Sequence, residues 1–413
     1  MALIGMVAAT TAYGVTSGGL GPGLPPFFLW VHPLASLWAA PAVVAVAASV
    51  LAAVRMVDSA ERRFLAGSAA LTLASRLAVN MIRYGPPEWA RPFISVERRQ
   101  EYPTADHRYS AHPLAFVGRF AQLVPHLAVH PAGHPPGPTL IAITLARLGL
   151  AGPWPLALLI ISVGCLAAPL TYLAARGLGC GQRDARVAAL VWIFAPASMI
   201  ESVTSMDAVF CTLGIATVVV VAQRRRWAAG VATWACSFMS YSLAAAPLWA
   251  LVVIWRRRSV REAAGLAVAC LAGVVGIDAA LHIWLGFDPV AAFRATQSRY
   301  LHGPGTLAGS RPLSFWLPGD IAAFLAGLGV PVIVAFARTL ADRRPETWAL
   351  LLIMAAGAAS GYTKGEVERI WLFMVPLAAI ATAPVVGRWR LGWVLPVLAA
   401  QAVVVELAFA TVW

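Results

Sequence analysis

Four carboxylates, Glu88, Glu97, Glu101 and Asp106, stand close together in one stretch of this chain, and His107 and Arg108 follow the last of them. A carboxylate at a membrane surface can take the proton of an incoming hydroxyl. A solvated loop acid explains any one of them equally well, but the set is harder to dismiss because acids are scarce elsewhere in the outer segments. A second pair, Glu201 and Asp207, brackets a break in "SMIESVTSMDAVF" between two apolar runs. Irregular backbone at such a corner lines a cavity when it lies at membrane depth. Asp207 also stands at a helix start, where the helix dipole favours an acid, so a simple cap is the competing explanation. A third stretch, "GYTKGEVERIW", puts Lys364, Glu366, Glu368 and Arg369 at the mouth of an apolar helix. A lipid-linked phosphate sits at that depth, and arginine offers it a bidentate fork. Arg76 and Arg83, in "ALTLASRLAVNMIRYG", have the same potential. An arginine within the hydrocarbon reads as a site unless its head snorkels to the interface.

Other chemistries are excluded. His126, His130 and His134 have the i, i+4 spacing of a helical zinc pair, but "HPAGHPPGP" (His130–Pro138) sets four prolines and two glycines into it and breaks the helix the spacing needs. The outer carboxylates suit a divalent cation better. No glycine-rich phosphate loop, nucleophile elbow or HExxH is present. Asp278 and Glu406 read as polar groups packed between helices. Cys165, Cys180, Cys211, Cys236 and Cys270 show no CxxC spacing, which argues against disulfides and thiolate metal sites.

The elements that must hold these residues are membrane helices. Of 413 residues, 60% are hydrophobic and 12% charged, too apolar for a soluble core. Mean hydropathy is +0.75. The net charge of +13 is carried almost wholly by arginine, since Lys364 is the one lysine. The arginines punctuate apolar segments in short clusters and form no basic aromatic face, so they read as topology signals rather than a nucleic-acid surface. Apolar runs near 2–17, 34–54, 64–82, 153–175, 187–201, 207–223, 227–240, 241–255, 263–285, 317–338, 347–361, 370–387 and 391–412 give an all-α polytopic bundle of about thirteen segments, some of them paired half-spans. The N-terminal run lacks a charged leader and a cleavage site and reads as a retained first helix.

Six basic clusters set the sides: 55–63, 176–186, 223–227, 256–261, 337–344 and 387–390. Placing all six in the cytoplasm makes the segments alternate, with the N-terminus inside and the C-terminus outside. The chain is then one transmembrane domain, 1–413, with a long outer loop over 83–138. Within that loop "HPLAFVGRFAQLVPHLAV" (His112–Val129) is spaced as an interfacial helix, and Pro138–Leu150 as a second juxtamembrane helix that starts on proline. His130–Pro138 is expected to be the rigid corner between them.

The acids of Glu88–Asp106, the helix-like 112–129, "GHPPGP", "TSMD" and "GEVERIW" together resemble the bacterial GT-C superfamily of integral-membrane glycosyltransferases. The resemblance spans the chain through short motifs. One departure stands out: in most relatives the acid loop follows the first helix, whereas here it follows the third, and 16–33 contains no acid. Either two helices precede the family core, or the catalytic acid lies elsewhere. The resemblance implies inverting transfer of a hexosyl or pentosyl group from a polyprenyl-phosphate carrier to a lipid, glycan or peptide acceptor at the outer face of the inner membrane. It implies a catalytic base in the loop: Asp106 first, for its neighbours His107 and Arg108, then Glu101, with Glu88 in play because relatives more often keep the acid near the preceding helix. Asp207 would orient acceptor or cation. Arg369, Glu368, Arg76, Arg83, Lys364 and His134 would surround the donor, His134 facing a cavity at the membrane surface. No cofactor is required, a divalent cation apart.

Two rival readings use the same composition. A transporter or lipid flippase should show interrupted helices paired between two halves, and no such symmetry is visible in the sequence. A non-catalytic membrane subunit has no need of an acid-rich loop.

Overall fold

The computed structural model describes residues 2–17, 23–303, 309 and 311–411. It is all-α apart from one short two-stranded antiparallel sheet, in which Leu29–Val31 pairs with Phe409–Thr411. Five helices are long and apolar enough to cross a membrane: Ala39–Met56, Glu61–Tyr84, Pro153–Gly177 taken through its bend, Val260–Leu285 and Leu391–Ala408. The pair Leu313–Leu328 and Val330–Ala341, bent by 116°, makes a sixth only if it is counted as one broken span and not as a re-entrant loop. The sequence reads 317–338 as one run. Gly329, at a φ of 88°, and Pro331 in the next first turn divide it.

Burial separates core helices from lipid-facing ones. Gln182–Phe194, Asp207–Ala222 and Val375–Val386 are buried around most of their circumference. Helices apolar on every side belong in the middle of a bundle. Val260–Leu285 is the opposite case, with only 11% of its apolar window buried, so its Val268, Leu271 and Val275 are left to face lipid. Its start is a capping box, Ser259 Oγ accepting from the Glu262 amide at 3.1 Å, and Gly286 ends it in the left-handed conformation. It lies tight against Arg226–Met239 because Gly230 meets Gly273: a Cβ on Gly230 would stand 2.7 Å from the Ala269 carbonyl.

All six basic clusters share one end of the bundle. Arg186 donates to the Val57 carbonyl at 2.7 Å, and Arg183 pairs with Asp58 at 3.5 Å. Arg257 and Arg258 donate to the carbonyls of Leu178 and Gly177. Arg224 and Arg258 both meet Glu262, Arg257 pairs with Glu346, and Arg338 lies over the Trp389 ring at 5.2 Å. The polar stretches gather at the other end, which the sheet pins by joining the segment after the first helix to the end of the chain.

The 83–138 stretch is a string of short helices. The single interfacial helix expected over His112–Val129 is divided into Pro113–Gly118, Phe120–Leu123 and a turn Val124–His126. Gly118 explains the first break: a Cβ there would collide with the Leu285 carbonyl, so the chain passes too close to the neighbouring helix for a regular turn. Phe116, Phe120, Val124, Leu127 and Ile143 form a second small core with Phe287 and Ala292. Ala292 belongs to Pro289–His302, a helix the sequence reading does not foresee; Asp288 caps it by accepting from the amides of Val290 and Ala291. The second juxtamembrane helix is present as Pro136–Arg147. The corner before it is less irregular than its prolines imply: Val129–Gly133 makes one helical turn, and the chain extends only at His134 and Pro135.

Candidate functional site

Asp207 opens the helix Asp207–Ala222, directly after the 202–206 break. Ser205 fixes it twice: its hydroxyl donates to Asp207 Oδ2 at 2.6 Å and accepts from the Asp207 amide at 3.1 Å. The third polar stretch reaches this carboxylate from far along the chain. Gly365 and Glu366 both have positive φ, and the Gly365 amide donates to Asp320 Oδ1 at 2.9 Å, which turns the chain sharply into the short helix Val367–Ile370. Arg369 on that helix donates through Nη1 to Asp207 Oδ2 at 2.8 Å and through Nη2 to Glu366 Oε2 at 2.9 Å. Asp207 and Arg369 are both buried. Burial works against the Arg369 charge, and Asp207 and Glu366 outweigh it, so its pKa lies above the usual value.

The outer loop supplies the remaining wall. Glu101, 4% exposed, places Oε1 3.6 Å from His130 Nε2. The Tyr102 ring stands between His130 and His134, 6.3 Å from each, and His134 packs on Phe210 at 5.0 Å. Burial pushes the Glu101 carboxyl up to about 8; Arg369 opposes this and Asp207 adds to it. Burial likewise lowers His134 to about 4 and holds His130 well below its ordinary value, while Tyr102 is raised well above its own. Both imidazoles are therefore neutral at neutral pH. The centre is a carboxyl with high proton affinity beside an arginine clamped by two carboxylates.

Two of the three stretches singled out in the sequence thus meet directly through Asp207 and Arg369, and Glu101 of the loop feels the charge of both. Tyr102, Ser205 and Phe210 are the residues that sequence reasoning passes over. Adjacency to Glu101 and Asp207 was a signal for the first two. The sequence reads His130 only as part of a metal-like spacing, and His134 also as a residue facing the donor cavity.

The other candidates whose side chains are described have different partners. Asp106 begins the short helix Asp106–Tyr109, and its side chain is outside the described ones. Glu88 pairs with Arg91 at 2.9 Å; burial raises its pKa against that arginine. Glu368 accepts from the Phe28 amide at 2.6 Å, and burial pushes it up to about 7. Lys364 ties loops together, Nζ to the Arg311 carbonyl at 2.9 Å and its amide to the Tyr300 hydroxyl at 3.1 Å. Arg83 donates to the carbonyls of His32, Glu406 and Phe409 at 2.7–2.9 Å, which holds the small sheet to the bundle. Arg76 lies inside the bundle, its guanidinium 4.2 Å from the Trp192 ring and bonded to Ser198 Oγ at 3.2 Å. It stands beside the start of the Glu201–Asp207 corner through Ser198. Arg369, expected beside the donor phosphate, is held between Asp207 and Glu366.

The five cysteines are reduced and buried. Among the described residues no group of three or more His, Cys, Asp or Glu side chains is arranged to hold a metal ion. Compared with known proteins, the chain matches no family model, no curated protein and no solved structure.

Proposed function

We propose that this membrane protein is an inverting glycosyltransferase that takes a sugar from a polyprenyl-phosphate carrier at the end of the bundle opposite the arginine clusters. The observation that supports the reading is the junction of Asp207 and Arg369 at 2.8 Å beside a Glu101 whose proton affinity suits a base near neutral pH. The acceptor hydroxyl attacks the anomeric carbon, its proton passes to Glu101, and the bond to the lipid phosphate breaks, inverting the centre once. Asp207, held by Ser205 and Arg369, orients the acceptor. Arg369 contributes positive charge against the departing phosphate. The base assignment moves from Asp106 to Glu101 because Glu101 is a loop carboxyl whose described side chain feels the charges of both Asp207 and Arg369.

The fuller topology belongs to the same reading: about thirteen segments, N-terminus in the cytoplasm, C-terminus outside, in the inner membrane. The pairing of Leu29–Val31 with Phe409–Thr411 supports placing both on one side of the membrane, with an even number of crossings between them. A transporter or flippase is the second reading, and the broken span at Gly329 is the observation in its favour.

Purified protein in liposomes, given polyprenyl-phosphate sugars and a panel of lipid, glycan and peptide acceptors, tests the two. The enzyme reading expects free polyprenyl phosphate and a product of inverted anomeric configuration. Donor that crosses the bilayer intact, with no glycosidic product, establishes the transporter instead.

A further inference from the structure

The basic end of the bundle carries a groove with no part in the chemistry above. Its volume is about 420 Å³, and Pro331, Trp389, Arg390, Trp393, Val394 and Val397 line it. It is shallow and open along one side. Positions 393, 394 and 397 share one face of Leu391–Ala408, and Arg390 is the residue that caps its start. This face lacks a helix over it because the turn at Gly329 redirects Val330–Ala341, leaving Pro331 as the opposite wall. Trp393 is 71% exposed.

The groove has two unlike ends. From Arg390 to Val397 it runs about 10 Å along the helix axis, from interface depth into the hydrocarbon. The deep end is wholly apolar. The shallow end holds Arg390 and Trp389, with the Arg338 guanidinium over the Trp389 ring at 5.2 Å. The two loops that meet there, 338–344 and 387–390, carry Arg338, Arg343, Arg344, Arg388 and Arg390 against one acid, Asp342. An apolar channel under a cationic, tryptophan-bearing rim matches an acyl chain under an anionic headgroup. A packed helix would gain nothing from the charge.

We infer that this groove is a binding site for an anionic glycerophospholipid of the leaflet at the basic end, its phosphate on Arg390 and Arg338 and one acyl chain between Trp393, Val397 and Pro331. Basic pockets beside membrane helices recognise headgroups in this way.

The test uses the full chain in bilayers of phosphatidylcholine doped with phosphatidylglycerol, either lipid carrying a photoactivatable acyl chain, with cross-links mapped by peptide mass spectrometry. Two arginines at about 1 kcal/mol each give a preference of about thirtyfold for the anionic probe at residues 389–397. The double variant Arg338→Ala, Arg390→Ala should bring the two probes level there, and Val394→Trp, which fills the groove, should remove both. Equal labelling by the two probes in the wild type overturns the site. So does anionic labelling on lipid-facing Val260–Leu285 as strong as on 389–397, or cross-linking of 389–397 to a second protein copy in place of lipid. The wild-type map decides these outcomes even where a variant does not fold.

Discussion

Glu101→Gln is expected to make the protein more stable and less active at once. The folded carboxyl titrates near 8, whereas a glutamate in an unfolded chain titrates at the ordinary value of 4.5. Across that window the native state binds a proton that the unfolded chain has released. Stability is therefore full below about pH 4.5 and falls as pH rises, until the native carboxyl itself ionises near 8. Each pH unit in the window removes about 1.4 kcal/mol, which accumulates to about 3 kcal/mol at pH 7. Glutamine has the shape of the protonated acid and exchanges no proton, so it escapes this loss. Thermal midpoints of wild type and Glu101→Gln, taken in detergent from pH 4.5 to 8.5, should coincide at the acid end and separate steadily above it, the variant being the more stable. Glu88 and Glu368 titrate in both proteins and cancel from the difference. Parallel curves refute the raised carboxyl, and the case for Glu101 as base goes with it.

Arg369→Ala leaves Asp207 buried without its cation, and breaking such a pair costs about 3–5 kcal/mol; a lower thermal midpoint should accompany any loss of transfer, and Arg369→Lys, unable to fork between Asp207 and Glu366, should recover stability only in part. Arg83→Ala removes the donor to three carbonyls at the sheet and should lower the thermal midpoint while the folded fraction keeps its turnover number. With the native cysteines replaced, Ser110→Cys should label from outside intact cells and Arg225→Cys only after permeabilisation; the reverse pattern inverts the topology.

Much of the architecture was written in local chemistry. Short basic clusters are local signals, and all six meet at one end. The polar stretches were visible because acids are rare in an apolar chain. Their connection was not: Asp207 and Arg369 are 162 residues apart, and neither sequence neighbourhood carries a mark of the other. The surroundings of Arg76 and Arg83 were not legible along the chain for a physical reason. An intramembrane arginine reads as a site until its partners are known, and here they are an indole ring and a hydroxyl for one and backbone carbonyls for the other, none of which has a sequence signature. The prolines of His130–Pro138 were taken to exclude helix, yet one turn tolerates Pro131 because the first amides of a helix have no intrahelical acceptor. The break at Gly118 depends on a neighbour, the Leu285 carbonyl, and could not be read along the chain.

The most direct test of the shared centre is the rate of sugar transfer from a radiolabelled polyprenyl-phosphate donor by purified wild type, Glu101→Gln, Asp207→Asn and Asp106→Asn, each confirmed folded by its thermal midpoint. Loss of the base should lower transfer by about a hundredfold to ten-thousandfold in Glu101→Gln, with a substantial loss in Asp207→Asn and a rate near wild type in Asp106→Asn. Wild-type transfer should climb with pH as Glu101 ionises and level off above about 8. Transfer by Glu101→Gln at the wild-type rate would contradict the account.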